Sequence, residues 1–351
     1  MVDISLKTLV IINIILFFTL LLLFGYLLLQ KHKDIKRKLR KARIKEKIRD
    51  GIFEHLNEGQ EVKTRLFQRD PLSYEVVQEL LLEYGTMVKG DEEQKRLQQF
   101  AEFHFSSYYQ ELLSHQNWSI RMNTLYSIEN LSMKSMETDV WNHFAESTYE
   151  ETVEQQQQIR VLAKLQSEKL ASHLFVDKNI YPLPLYKEVL RTFQTDLFDQ
   201  MVGRYDEANE TLKVAILAIF AEKNDTSYLP LVERELENGH TDIRLQALKV
   251  IRSFGYVGNI ELFSTFATSS LWQERMLFCK IAAVITKERF KETLVRLIGD
   301  ESWWVRNAAG EALANYHDGD FILTHISEEN EDSFARDMAK QWLGGEETAK
   351  S

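Results

Sequence analysis

The spacing of apolar residues along most of this chain is typical of amphipathic α-helices. Apolar and small residues recur three, four and seven positions apart, as in the segment with Ala247, Leu248 and Ile251, and alternating strand-like runs are few. Residues at these intervals lie on one face of a helix, which becomes its buried side. Leu, Glu, Gln, Lys and Ala, which favour helix, dominate the long tracts. The pattern therefore predicts an all-α protein.

The segment near the N-terminus departs from this pattern, because residues 8–29 are apolar almost without interruption. These 22 residues, TLVIINIILFFTLLLLFGYLLL, carry no charge. As a helix they would extend about 33 Å, enough for the roughly 30 Å hydrocarbon core of a bilayer. A cleaved signal peptide is the alternative, but its apolar region is only about 7–15 residues and ends at a small-residue cleavage site. Here Leu-Leu-Leu-Gln-Lys occupies that place. We therefore predict one transmembrane helix over residues 8–29.

A strongly basic segment follows. Residues 31–50 contain 11 Lys and Arg against three acidic residues, whereas residues 1–30 hold only one of each sign. Because positive flanks remain in the cytoplasm, this asymmetry predicts a short external N-terminus over residues 1–7, a single pass through the cell membrane and a cytoplasmic body. Residues 30–52 form the predicted juxtamembrane segment. The basic side chains expected at the membrane surface are Lys31, Lys33, Lys36, Arg37, Lys38, Arg40, Lys41 and Arg43.

This basic segment has two interpretations. In the first, it continues the helix and residues 31–49 bind anionic lipid headgroups, with a short apolar stripe of Ile35, Leu39 and Ala42 from which Ile48 is displaced. In the second, it is a stop-transfer signal without a further role. The sequence leaves both open.

The rest of the chain carries an internal repeat. Ahead of each repeated basic residue lies an apolar helical segment and then a short polar turn, and apolar and small residues at helical spacing come after it. Each unit is therefore predicted to be two antiparallel helices joined by a tight turn. At intervals of 31, 31, 31 and 30 residues, the repeated positions are Lys213, Arg244, Arg275, Arg306 and Arg336.

The segment DESWWVRNAAGEAL, residues 300–313, resembles the second helix of a HEAT repeat. That helix opens with an acid in the turn, an aromatic residue or valine, and then Val-Arg and small residues; TDIRLQAL, residues 241–248, is similar. The resemblance implies a right-handed-type α-solenoid of HEAT-like helical pairs, and armadillo-like units are near relatives. The implied domains are divergent helical repeats over 53–180, HEAT-like repeats over 181–343 and a polar tail over 344–351.

The resemblance also implies a structural role for the repeated basic residue. In HEAT-like stacks this residue commonly bonds an acid of a neighbouring turn and forms a ladder along the repeats. Asp300, Asp242 and Asp225 are candidate acceptors. Contact with a ligand is the alternative role.

Tryptophan recurs at one register position, three residues before the basic residue. The tryptophans at this position are Trp118, Trp272 and Trp303. The recurrence predicts that Trp303 is buried in the turn that opens the second helix. Trp304 has no counterpart in the other repeats, so we expect it to be exposed and to contact a partner. Phe103 and Tyr108, in the aromatic segment FAEFHFSSYYQELL, are further candidate contacts, with core packing as the alternative.

No constellation of catalytic, cofactor-binding or metal-binding residues stands out. The single cysteine, Cys279, excludes an internal disulfide and lies in an apolar helical context that predicts burial. The sequence lacks a phosphate-binding glycine loop, a nucleophile elbow and an HExxH pair. Residues 317–320, His-Asp-Gly-Asp, fit a turn between repeats, and the glutamines of 155–158 are expected to be exposed.

The charge distribution limits the classes of ligand that the protein is expected to bind. The chain has a net charge of −10, and since residues 31–50 contribute +8, the body is strongly acidic. This acidic body disfavours nucleic acid as a ligand. We therefore expect a membrane-anchored scaffold that binds a protein partner, another membrane protein, without a cofactor or small-molecule substrate. The alternatives are a HEAT-like lyase and a nucleic-acid-binding solenoid.

Overall fold

The computed structural model describes residues 6–60, 71–88, 90–146, 153–176 and 180–349. Within these ranges the chain is helical and contains no strand, which confirms the all-α prediction. The chain divides into two compact units, Met1–Leu165 and Gln166–Ser351. This division lies ahead of residue 181, where the sequence placed the start of the HEAT-like repeats.

The first unit is built around one long helix. Its described α-helices are α1 (Leu6–Glu58), α2 (Pro71–Met87), α3 (Asp91–Leu113), α4 (Trp118–Asn130), α5 (Glu137–Glu146) and α6 (Val153–Lys164). Helix α1 has 53 residues and is therefore about 80 Å long. The side chains of its apolar residues 11–29 are almost all exposed. Among the described residues, α1 is the one helix that is long and apolar enough to cross a membrane.

The C-terminal part of α1 belongs to the packed body of the first unit. Ile48, Ile52 and Leu56 are buried where α1 packs against α2 and α3. The predicted boundary between residues 52 and 53 falls inside this helix. The predicted stripe of Ile35, Leu39 and Ala42 is exposed, whereas Ile48, which is displaced from it, is buried. Periodicity alone could not place the buried stripe, which exists only where other helices cover α1.

The glutamine run of α6 is another difference from the sequence prediction. Three of its members, Gln155, Gln157 and Gln158, are buried where α6 packs against α4 and α5. Gln157 Nε2 donates a hydrogen bond of 2.5 Å to Glu129 of α4. A buried side-chain amide is tolerated when it is hydrogen-bonded. The sequence shows only consecutive polar residues and does not reveal this hydrogen bond to another helix.

The second unit consists of shorter helices. They are α7 (Glu168–His173), α8 (Leu183–Thr192), α9 (Thr195–Gly203), α10 (Glu210–Lys223), α11 (Leu229–Asn238), α12 (Thr241–Phe254), α13 (Ile260–Thr265), α14 (Trp272–Ile285), α15 (Lys291–Leu297), α16 (Trp303–Ala314), α17 (Gly319–Glu329) and α18 (Ser333–Ala349). The predicted polar tail over 344–351 thus continues α18 as far as Ala349.

The helices of the second unit form pairs. Helix α11 packs against α12, α15 against α16, and α17 against α18, and in each pair only a few residues connect the two helices. Such short connections place the two helices of a pair antiparallel. The second helices also pack on one another in the order α10, α12, α14, α16 and α18.

The second helices α10, α12, α14 and α16 run in the same direction. Near their C-terminal ends, Ser253 of α12 donates to the carbonyl of Ala221 in α10, and Asn315 after α16 donates to the carbonyl of Ala283 in α14. Helices α10, α12 and α14 each end at a left-handed residue, and these residues, Asn224, Gly255 and Thr286, are 31 positions apart. The left-handed residue at the helix end is therefore part of the repeat. The sequence does not reveal it, because a different residue type, Asn, Gly or Thr, occupies this position in each repeat.

Candidate interaction surface

The repeated basic residue has a fixed position in the second unit. Lys213, Arg244, Arg275, Arg306 and Arg336 are each the fourth residue of a second helix, from α10 to α18. At this position a long side chain reaches back over the first turn toward the loop that precedes the helix. The 31-residue period thus corresponds to one structural location.

Each of the four arginines holds the loop before its own helix. The Nη1 atom of Arg275 donates to the carbonyls of Ser269 and Ser270 at 2.8 and 3.3 Å. Arg306 bonds the carbonyls of Asp300 and Glu301 at 2.8 and 3.0 Å. The same nitrogen of Arg244 bonds Gly239, and that of Arg336 bonds Asn330 and Glu331. These bonds fix the turn within each helical pair.

Two of the arginines also reach an acid of the next pair. Arg244 Nε donates to Glu274 at 2.8 Å, and Arg275 binds Asp300 through two nitrogens at 2.7 and 2.9 Å. Asp300 is one of the acceptors that the sequence suggested. Asp225, another, instead accepts a hydrogen bond from the backbone of Ser227.

The Arg275–Asp300 pair is buried. The two side chains are 9% and 8% exposed. Burial alone would raise the pKa of Asp300, but hydrogen bonds from Arg275 and from the backbone of Ser302 outweigh it, so this pKa lies below its ordinary value. The pair therefore remains charged at neutral pH and links α14 to the turn before α16.

The same arginine geometry occurs in the first unit, and one position of the second unit departs from it. Arg121, the fourth residue of α4, binds Glu154 of α6 through two bonds of 2.7 Å and also bonds the carbonyls of His115 and Gln116. Lys213 instead places its ammonium 5.4 Å from the ring centre of Tyr205.

The recurring tryptophans are exposed, and the predicted burial of Trp303 is wrong. Trp118, Trp272 and Trp303 are each the first residue of their helix. Trp303 is 45% exposed and Trp304 is 57% exposed. A side chain at the first helical position projects beyond the helix end, where no preceding turn covers it. The three tryptophans therefore occupy equivalent positions in their helices, as their spacing indicated, but this position lies at the surface.

Exposed aromatic side chains of the second unit lie at the N-terminal ends of neighbouring second helices. Because α14, α16 and α18 are neighbours, and neighbouring helices lie about 8–10 Å apart, aromatic residues at their N-terminal ends are close together. Trp303 and Trp304 meet edge to face, 4.9 Å between ring centres, and the Arg306 guanidinium lies 4.8 Å from the ring centre of Phe334. We call Trp272, Trp303, Trp304 and Phe334 the aromatic ridge.

The other two candidate contacts, Phe103 and Tyr108, belong to α3 in the first unit. Phe103 is strongly exposed, whereas Tyr108 is half-buried and stacks on Tyr74 with 4.4 Å between ring centres. Phe105 and Tyr109 of the same segment are fully buried. The aromatic segment thus contributes mainly to the core, and Phe103 is its exposed member.

The basic segment of α1 faces acidic residues of α2. Arg37 and Lys41 bind Glu75 at 2.7 and 3.0 Å, Lys41 also binds Glu79, and Lys45 binds Glu83 at 2.5 Å. Each partner is one helical turn further along its helix, so two charged stripes run beside each other.

These ion pairs give part of the basic segment carboxylate partners within the first unit. Burial opposes the charge on Lys41, but its hydrogen bonds to Glu79 and Glu75 outweigh this effect and raise the pKa of Lys41. Burial likewise favours a neutral Glu75, but hydrogen bonds from Lys41 and Arg37 lower its pKa. Arg37 and Lys41 therefore serve the packing of α1 on α2. The exposed Lys31, Lys33, Lys36, Lys38 and Arg43 form no ion pair with another residue in the described part of the chain.

Two further sequence features have structural positions. Cys279 is fully buried, and burial raises the pKa of its thiol. Asp318, in the His-Asp-Gly-Asp turn, pairs with Lys291 at 2.6 Å at the start of α17. No group of three or more His, Cys, Asp or Glu residues suited to a metal ion lies within the described parts of the chain.

Comparison with known proteins gives no further guide to this surface. No protein-family model matches the chain. No curated protein matches it either. Any function must therefore be argued from the residues themselves.

Proposed function

We propose that this protein is a membrane-anchored scaffold that binds a protein partner through the aromatic ridge. In this proposal α1 crosses the cell membrane once over residues 8–29, and HEAT-like helical pairs form an α-solenoid in the cytoplasm. The partner is another membrane protein with a cytoplasmic domain, because anchoring confines the ridge near the membrane and raises its local concentration toward such proteins.

The observation that carries this proposal is the exposure of four large aromatic side chains along neighbouring helix ends. Exposed apolar patches on a folded surface mark interaction sites, and tryptophan is enriched among the residues that dominate binding energy. Arg306 and Arg336 bind carbonyls of the turns before α16 and α18, so the backbone at the helix ends that carry these aromatic residues is held in place. A rigid base lowers the entropy lost on binding.

The chemistry of the ridge favours a protein over other ligands. Trp303 and Trp304 give broad apolar surface with two indole N–H donors, while Glu301, beside them, is an exposed acid. Such a mixed surface suits a partner with apolar side chains and a basic rim. It does not suit nucleic acid, whose phosphates require basic side chains.

Co-purification of the full chain from its own membranes tests this proposal. We expect the Trp304→Ala, Phe334→Ala double variant to lose a specific membrane partner by at least about tenfold, consistent with residues that dominate binding. Tyr256→Ala is the matched control, since Tyr256 is an exposed aromatic residue just after the C-terminal end of α12. Equal recovery of the partner with both variants would overturn the ridge as the binding surface.

The orientation is tested separately with a membrane-impermeant maleimide on intact cells. The native Cys279 is buried and therefore gives little background. We expect Ser5→Cys to be labelled from outside and Lys340→Cys, at an exposed position of α18, to be labelled only after lysis. The reverse pattern would refute a cytoplasmic body.

A further inference from the structure

The first unit contains a cavity of about 750 Å³ beside the basic segment of α1. Its volume lies within the roughly 300–1,000 Å³ typical of small-molecule sites. Four helices contribute to the wall, and the function proposed above makes no use of it. These helices are α1, α2, α3 and α4.

The α1 wall of this cavity is basic. Among the described lining residues, Lys36, Arg37 and Arg40 are basic and Glu75 is acidic. Glu75 binds Arg37 and also Lys41, which lies outside the lining. Lys36 forms no ion pair with another described residue, so its positive charge favours an anion in the cavity. Lysine and arginine are the side chains that bind phosphate groups.

The part of the lining contributed by α2, α3 and α4 is suited to the remainder of a polar molecule. Leu72, Leu112 and Ile120 give apolar surface, and Tyr108 and Asn123 add polar groups. The ring of Tyr108 is fixed by stacking on Tyr74. A largely apolar lining with a few placed polar groups is the composition of a binding site for a small organic group.

The position of the cavity along α1 indicates the source of such a ligand. Lys36 lies seven residues beyond Leu29, the last residue of the apolar segment, which is about 10 Å along the helix axis. The headgroup layer extends about 5–8 Å beyond the hydrocarbon core on each side. If residues 8–29 span the membrane, the cavity begins just beyond the headgroup layer, and the Lys36 side chain leans back toward that layer because helical side chains point toward the N-terminus.

We propose that this cavity binds the phosphorylated polyol headgroup of an anionic lipid. The phosphate lies against Lys36 and its neighbours on α1, and the polyol faces Tyr108 and Asn123. The lipid as source rests on the transmembrane assignment of α1 made above. A soluble phosphorylated polyol has the same chemistry, so the experiment must separate the two sources.

Native mass spectrometry of the full chain in detergent tests this site. Phosphatidylglycerol and phosphatidylcholine are the two probes, and Lys36→Glu is compared with Lys38→Glu. Both variants reverse one exposed charge on the same helix, but only Lys36 lines the cavity. We expect selective retention of phosphatidylglycerol, reduced about tenfold or more by Lys36→Glu and less than about twofold by Lys38→Glu.

The possible results separate a specific site from surface charge. Equal losses with both lysine variants would show diffuse attraction to anionic lipid and overturn the proposal. Equal retention of both lipids would overturn it too. Glycerol 3-phosphate that binds as tightly as the lipid would overturn the lipid as source while the cavity remains a phosphate site. The aromatic-ridge variants should retain phosphatidylglycerol normally, so this test fails or succeeds independently of partner binding.

Discussion

The Arg275–Asp300 pair gives the most direct prediction about stability. Asp300→Asn removes the negative charge while it keeps the shape of the side chain and an oxygen for the Ser302 backbone. Arg275 would then remain charged with its side chain only 9% exposed. Removing one partner of a buried ion pair typically costs about 3–5 kcal/mol. We expect the lower end, about 3 kcal/mol, because Arg275 keeps the Ser269 carbonyl and the exposed Glu301.

Hydrogen exchange of the amides of α14 and α16 measures this loss locally, so that unfolding of the first unit does not enter the result. The matched control is Glu261→Gln, which removes a carboxylate that Arg289 binds at 3.0 Å, with side chains 48% and 79% exposed. An exposed pair of this kind contributes about 0–1 kcal/mol. If Asp300→Asn lowers the free energy of unfolding by no more than Glu261→Gln does, the hydrogen bonds of the repeated arginines do not hold the repeats together.

Three further predictions concern other contacts. Gly310→Ala should destabilise α16 and α18 by about 1–3 kcal/mol in hydrogen exchange, because the added methyl group would overlap the Trp342 ring. Glu75 has a lowered pKa, so its charge should stabilise the packing of α1 on α2 above its unfolded pKa. In urea unfolding at several pH values, the difference in unfolding free energy between wild type and Glu75→Gln should persist to about pH 5. This difference should disappear as the pH falls through the folded pKa. In thermal unfolding, Trp303→Ala should lower the free energy of unfolding by less than about 1 kcal/mol, because Trp303 is exposed. Leu313→Ala should lower it by about 2–5 kcal/mol, because Leu313 is buried.

Each of these predictions has an internal check. Gly51 lies inside α1 with no atom within 4 Å of an added Cβ, so Gly51→Ala should stabilise the helix by about 1 kcal/mol. A loss at Gly51 equal to that at Gly310 would exclude the steric explanation. A difference for Glu75→Gln that does not shrink as the pH falls well below the unfolded pKa would show that its charge is not responsible. A large loss for Trp303→Ala would contradict its exposed position.

The sequence predicted the class of the protein because helical spacing is a local property. The 31-residue period likewise located equivalent positions, since each repeated basic residue is the fourth residue of a second helix. Helical spacing and the position of the basic residue within its helix both depend on residues that lie within one or two helical turns. Whether the helices together form a HEAT-like solenoid stays a prediction.

The errors arose where burial depends on a distant helix. Trp303 recurs at a constant register, but nothing in the register says whether another element covers the first turn. Gln157 is polar, yet it is buried because Glu129 of α4 accepts its hydrogen bond. Arg37 and Lys41 looked like membrane-facing charges, and only the position of α2 reveals their carboxylate partners. A repeated acid at the matching interval on α2, Glu75, Glu79 and Glu83, was the signal that could have indicated this pairing.

Site-specific photo-crosslinking tests the proposed binding surface most directly. A photoreactive phenylalanine analogue replaces Trp304 in the full chain, in its own membranes, and the same analogue replaces Tyr256 as the control. We predict one discrete adduct with a membrane protein from position 304, none from position 256, and loss of the adduct when Phe334 is changed to alanine. The same adduct from both positions, or an adduct that is unchanged by Phe334→Ala, would contradict a scaffold that binds its partner through the aromatic ridge.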